Sequence, residues 1–79
     1  MRIIDSIPHV SLTISIFLMN DKYLVKFEAG PMEQIFKFTV AEVKSVENLK
    51  KLIDEKFIET CRARFNEMYL QLKATTANS

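Results

Sequence analysis

The sequence has few of the residue types that build catalytic or cofactor sites. Its 79 residues include one histidine, one cysteine, one glycine and no tryptophan. A phosphate cradle of the dinucleotide-binding or P-loop kind needs several glycines, so the single Gly30 excludes both. The single Cys61 cannot form an internal disulfide, and with one histidine it does not make a metal-ligand set. We therefore expect no cofactor and no metal, and a reducing compartment.

Long apolar runs are also missing. The most apolar stretch, from Val10 to Met19, is interrupted by three hydroxyl residues and falls short of the ~20 residues that span a bilayer. Asp5 lies where a secretory signal would need its apolar segment, and no small-residue cleavage site follows. The sequence predicts no membrane association and a cytoplasmic protein.

Neither sign of charge is present in large excess. Eleven basic and ten acidic residues leave a formal charge of +1, which is too small a field to hold a polyanion or an anionic membrane. By contrast, 48% of the residues are hydrophobic and six of them are phenylalanines. A chain of this length and composition can build one core without disulfides or metals, so we predict a single domain over 1–79.

Three segments alternate apolar and polar residues with a period of two. This pattern predicts β-strands at about 10–19, 22–29 and 33–40. Asn20-Asp21 and Gly30-Pro31 provide turn residues between them, so the strands should form an antiparallel β-meander.

The first hairpin has a well-defined predicted register. Pairing across Asn20-Asp21 sets Leu18 opposite Tyr23, and every inward residue then meets an inward residue, which a slip by one residue would prevent. The register of the second hairpin is not determined, because one register opposes Glu28 to Glu33 and another opposes two lysines, Lys26 and Lys37.

The C-terminal half carries a helical stripe. Two helix-start signals precede it, Thr39 with Glu42 and Ser45 with Glu47, and we prefer Ser45 as the N-cap. The stripe steps by three or four residues with no glycine or proline inside it; it consists of Val46, Leu49, Ile53, Phe57, Cys61, Phe65, Met68 and Leu72. We predict one helix over about 46–73, a frayed tail at 74–79, and an α+β fold in which this long amphipathic helix packs on one face of the three-stranded meander (β-β-β-α).

The predicted lengths do not match. A helix of this size would run roughly 40 Å, whereas strands of about eight residues span about 27 Å. The helix end and the uncovered sheet face therefore predict an interaction surface, made of Phe17, Met19, Leu24, Ile35, Phe65, Met68, Tyr69 and Leu72. The outer strands of a meander also have free edges that could accept an added strand.

These surfaces favour a small non-catalytic protein-interaction or assembly module, whose partner is a second copy (a homodimer) or another protein. The alternative is single-stranded nucleic-acid binding through the open sheet face, where Lys26 and Lys37 accompany Phe17. We assign no catalytic residue. His9 has no recognisable nucleophile or acid partner, and Cys61 lies on the core stripe, where a buried thiol is the ordinary role.

Overall fold

The computed structural model describes residues 2–77, which form a four-stranded antiparallel sheet followed by helices. The strands are β1 Arg2–Ile7, β2 Thr13–Met19, β3 Lys22–Ala29 and β4 Met32–Thr39. They lie in the sheet in chain order, as a meander. The helices are α1 Val40–Val43, α2 Val46–Leu52 and α3 Glu55–Ala77. The α+β class, the antiparallel meander and the long C-terminal helix are confirmed, but the sheet has one strand more than predicted.

The additional strand is β1, which pairs antiparallel with β2. Ile7 lies opposite Ile14 and Ile3 opposite Phe17, but the register shifts between Ile3 and Asp5. This β-bulge inserts one extra residue, so the strict alternation of faces breaks in the middle of β1. A strand with interrupted alternation lacks the period-two pattern by which the other three were predicted.

The predicted start of β2 at Val10 is wrong. Val10 lies in a bend and is fully exposed, and the strand begins at Thr13. The connection bends back so that β2 can pair with β1, and the Nδ1 atom of His9 accepts a hydrogen bond of 3.1 Å from the main-chain N–H of Ser11.

Both predicted hairpin turns are present. Asn20 and Gly30 take positive φ values of 57° and 59°, the conformation that tight hairpin turns require. Leu18 pairs with Tyr23 as predicted. Of the two registers left open for the second hairpin, the structure has Glu28 opposite Glu33. The Nζ atom of Lys26 lies 3.0 Å from Glu33 and 3.9 Å from Glu28, and this cation offsets the repulsion between the two carboxylates.

One face of the sheet carries the core. Its inward residues pack with buried residues of the helices, including Leu49 of α2 and Cys61 of α3. Three aromatic rings join the layers: the ring centroid of Phe57 on α3 lies 5.8 Å from that of Phe27 and 5.0 Å from that of Phe36. This inner face alternates with an outer face that contributes nothing to the core cluster.

The prediction of one continuous helix over 46–73 is wrong, because the chain leaves helical geometry at Ile53 and Asp54. Ile53 is the C-cap of α2. The Oδ1 atom of Asp54 then accepts a hydrogen bond of 2.9 Å from the main-chain N–H of Phe57, which is how an N-cap satisfies a free donor of a new helix. The apolar stripe stays in step across the break, so its periodicity does not reveal it.

Both helix-start signals of the sequence are used. Thr39 and Glu42 form a capping box at α1, and Ser45 caps α2 through Asn48. At the other end, the tail predicted to fray from 74 onwards is helical to Ala77. Alanine favours helix, and the Thr75 hydroxyl donates to the Gln71 carbonyl at 2.9 Å. The remainder of that predicted tail, 78–79, lies outside the described residues.

Candidate interaction surfaces

A buried glutamine joins α3 to β4. The Nε2 atom of Gln34 donates a hydrogen bond of 2.9 Å to the main-chain carbonyl of Cys61, and its Oε1 atom accepts one of 2.7 Å from Nη1 of Arg64. A buried amide is stable only when both of its ends find partners. This pair of bonds fixes where along β4 the middle of α3 lies.

Beyond the middle of α3, its apolar face extends past the end of the sheet. Cys61 and Phe65 are 1% and 4% exposed, Met68 is half-buried, and Leu72 is 39% exposed. Tyr69, beside this stripe, is 47% exposed. The 23 residues of α3 extend roughly 34 Å, so the last turns pass beyond the core. We call Met68, Tyr69 and Leu72 the helix end. Phe65, which the sequence assigned to the interaction surface, belongs to the monomer core.

Charge at the helix end is confined to its margin. The charged residues of α3 beyond Phe65 are Glu67 and Lys73. At about 100° per residue Glu67 projects away from the stripe, whereas Lys73 lies one turn beyond Tyr69 on the same side of the helix. Lys73 lies with its Nζ atom 5.8 Å from the ring centroid of Tyr69. Met68 and Leu72 are uncharged and apolar, which is typical of the centre of a protein interface, and Lys73 lies at the rim.

Two grooves run along the side of α3 that faces β4. The first, of about 270 Å³, is lined by residues that include Phe36, Phe57 and Arg64; we call it the Phe57 groove. The second, of about 430 Å³, lies between the β3–β4 turn and the helix end, with Met32, Met68 and Leu72 in its walls; we call it the Met68 groove. On the other side of α3 a depression of about 580 Å³ contains Glu59 and Arg62, which pair with each other at 2.9 Å.

The outer face of the sheet holds the other half of the predicted surface. Phe17 lies opposite Leu24 and Ile3 lies opposite Phe17, so Ile3 joins this patch although the sequence did not indicate it. Phe17 and Met19 are half-buried and Ile35 is 52% exposed, whereas Leu24 is only 8% exposed. The apolar area open to a partner is therefore narrower than the sequence suggested.

Lys26 is the cation in the middle of this face. Its Nζ atom is 5.8 Å from the Phe17 ring centroid, and the hydrogen bond that it donates to the Glu33 carboxylate raises the Lys26 pKa above its usual value. Lys26 is thus already paired with carboxylates of its own chain. The nucleic-acid alternative, which relies on Lys26, Lys37 and Phe17, remains a prediction.

The Phe57 groove is lined by the titratable residues Asp54, Lys56, Cys61 and Arg64. Burial raises the pKa of the Cys61 thiol, and the nearby charge of Arg64 opposes this only in part, so the thiol is protonated at neutral pH. His9 uses its Nδ1 atom in the β1–β2 connection. Within residues 2–77, no three or more His, Cys, Asp or Glu side chains are grouped so that they could hold a metal ion.

None of the helices of residues 2–77 combines the length and the apolarity needed to cross a bilayer. The chain was also compared with known proteins: no protein-family model, no curated protein and no solved structure matches it.

Proposed function

We propose that the protein is a non-catalytic assembly module that associates with a second copy of itself, with the helix end as part of the contact. The observation that carries this proposal is the exposure along one helical stripe. The face of α3 that is buried at Cys61 and Phe65 is 39% exposed at Leu72, although the residues of the stripe remain apolar.

Hydrophobic burial supplies the driving force. Removing apolar surface from water is favourable by about 25 cal/mol per Å², and the helix end exposes an aromatic and two aliphatic side chains together. Singly scattered apolar residues are ordinary on protein surfaces, but a contiguous stripe that continues the core marks a contact site.

Charge favours a second copy as the occupant. In a symmetric dimer both copies contribute the same surface, so a charge on the two-fold axis would face its own equivalent. Met68 and Leu72 carry no charge, and Lys73 lies at the margin of the helix end, beside Tyr69. A neutral apolar patch is therefore compatible with its own copy.

The test is a pair of helix variants with a matched control. Met68→Glu with Leu72→Glu places charges in the stripe, whereas Leu70→Glu changes a residue that is 59% exposed on the opposite side of α3. We expect the stripe variant to lower the solution mass, measured by light scattering, and the control to leave it unchanged. Circular dichroism must show folded protein for both. Equal masses for the wild type, stripe variant and control would overturn the role of the helix end.

A further inference from the structure

The two edges of the sheet differ in how well they are protected from adding a strand. β1 carries a bulge between Ile3 and Asp5, and Asp5 turns its carboxylate to the helix side, where Lys50 of α2 binds it at 3.2 Å. Bulges and inward charges are devices that prevent strands from pairing at an edge. β4 has neither: it pairs with β3 in unbroken register over all eight residues, from Met32 to Thr39.

Backbone geometry determines which groups β4 offers. Ala29 and Met32 flank the two-residue turn and face each other, so they form the hydrogen-bonded pair that closes the hairpin. In an antiparallel sheet such pairs alternate with pairs that do not bond. The N–H and C=O groups of Glu33, Ile35 and Lys37 therefore point away from β3, towards the free edge.

The side chains of these three residues form a self-complementary pattern. Glu33, Ile35 and Lys37 all lie on the outer face, with one acid and one base placed symmetrically about an isoleucine. We infer that β4 pairs antiparallel with β4 of a second copy, with Ile35 opposite its own equivalent on the two-fold axis. Each Glu33 then lies opposite Lys37 of the second copy, and two four-stranded sheets join into one of eight strands.

Other registers lose this match. Antiparallel pairing must keep the outer faces together, so the strands can shift only by steps that preserve the alternation. A register centred on Phe36 or Gln34 leaves both charges opposite uncharged residues. One centred on Lys37 or Glu33 opposes like charges, which is unfavourable. Only the register centred on Ile35 pairs every charge with its opposite, and it also buries a side chain that is now 52% exposed.

The inner face fits the same register. Met32 would lie opposite Phe38 of the second copy, and Gln34 opposite Phe36 of the second copy. These aromatic side chains point towards the helix layer, where the Met68 groove and the Phe57 groove lie on the β4 side of α3. The added strand thus brings phenylalanine rings beneath the helix end, and the area gained extends the contact towards the roughly 800 Å² per partner of a stable interface.

This inference rests on the self-association proposed above and specifies its geometry. The test uses charge exchange at the edge. Lys37→Glu makes both charged positions acidic, and Glu33→Lys makes both basic, so each variant alone should dimerise about tenfold more weakly or worse. Mixed in equal amounts, the two variants regain opposite charges at every pair and should form a heterodimer.

Controls separate the edge from the rest of the molecule. Lys22→Glu changes a lysine on the outer face of β3, away from the edge, and should leave the dimer unchanged. Glu33→Lys also removes the ion pair with Lys26, so thermal unfolding must show that the variant is folded. Ile35→Pro removes one outward N–H without touching the β3–β4 bonds, and proline is tolerated on such edges; it should also weaken the dimer.

Each result is decisive. A heterodimer from the mixed variants, seen by light scattering and by native mass spectrometry, supports the Ile35-centred register. A wild-type dimer that neither charge variant weakens overturns the register but leaves the assembly function intact. A wild-type monomer at every concentration overturns the proposed self-association and the register with it.

Discussion

Gln34 of β4 donates from its side-chain Nε2 atom to the main-chain carbonyl of Cys61 in α3, at 2.9 Å. The two residues are 27 positions apart in the sequence, and the bond ties the sheet to the long helix through a buried polar side chain. The position of α3, and therefore of the helix end, depends on it.

Replacing Gln34 by Ala should destabilise the fold by about 1–3 kcal/mol, because a buried amide with two hydrogen bonds is lost and a small void is left. Urea unfolding followed by circular dichroism measures this. Arg64→Ala removes one of the two bonds from an exposed side chain and should cost less. A Gln34→Ala variant as stable as the wild type would contradict the anchoring role.

Asp54→Ala should lower stability by about 1 kcal/mol, because the N-cap of α3 loses its acceptor for the Phe57 amide. Lys56→Ala, at the exposed second residue of the same helix, is the matched control and should change stability little. The measurement is the denaturation midpoint of each variant. Equal midpoints would contradict the capping role of Asp54.

The Asp5 carboxylate should make stability depend on pH. Its pKa is lowered by the hydrogen bond from the Ser6 amide and by Lys50. A group with a lowered folded-state pKa stabilises the fold above its unfolded pKa, and this contribution disappears as the pH falls through the folded value. The stability difference between the wild type and Asp5→Asn should therefore be present at pH 7 and vanish in acid. A difference that persists at low pH would rule out this ion pair as its source.

Cys61 should resist thiol reagents in the folded protein, because it is 1% exposed and its pKa is raised by burial. Labelling at pH 7 should be slow in buffer and fast after denaturation. A reaction as rapid in buffer as in denaturant would show that the helix opens readily over β4, or that the thiol is activated.

The parts of the fold that follow from sequence are those with unbroken periodicity. β3 and β4 alternate without interruption, and the hairpin registers follow from matching faces and turn residues. The β1 strand escaped prediction because its bulge between Ile3 and Asp5 interrupts the alternation. The break between α2 and α3 was not predicted, because Leu49, Ile53 and Phe57 keep helical spacing across it. Only the capping role of Asp54 distinguishes two helices from one.

The candidate surfaces were predicted only in part. Met68, Tyr69 and Leu72 were identified from the helical stripe, but Phe65 lies in the core and Leu24 is mostly covered. Whether a side chain near the end of a core stripe is buried depends on where the sheet stops, and that depends on long-range contacts such as Gln34 to Cys61. The Glu33–Ile35–Lys37 pattern was visible in the sequence, but its symmetry has meaning only once β4 is known to be an edge.

The measurement that tests self-association most directly is the solution mass of the wild-type protein by light scattering over a concentration series. We predict that the mass rises to a plateau at twice the 9.2 kDa of one chain, because both the helix end and the β4 edge would be satisfied in a closed two-fold dimer. A mass that stays at that of one chain up to the highest concentration would contradict it.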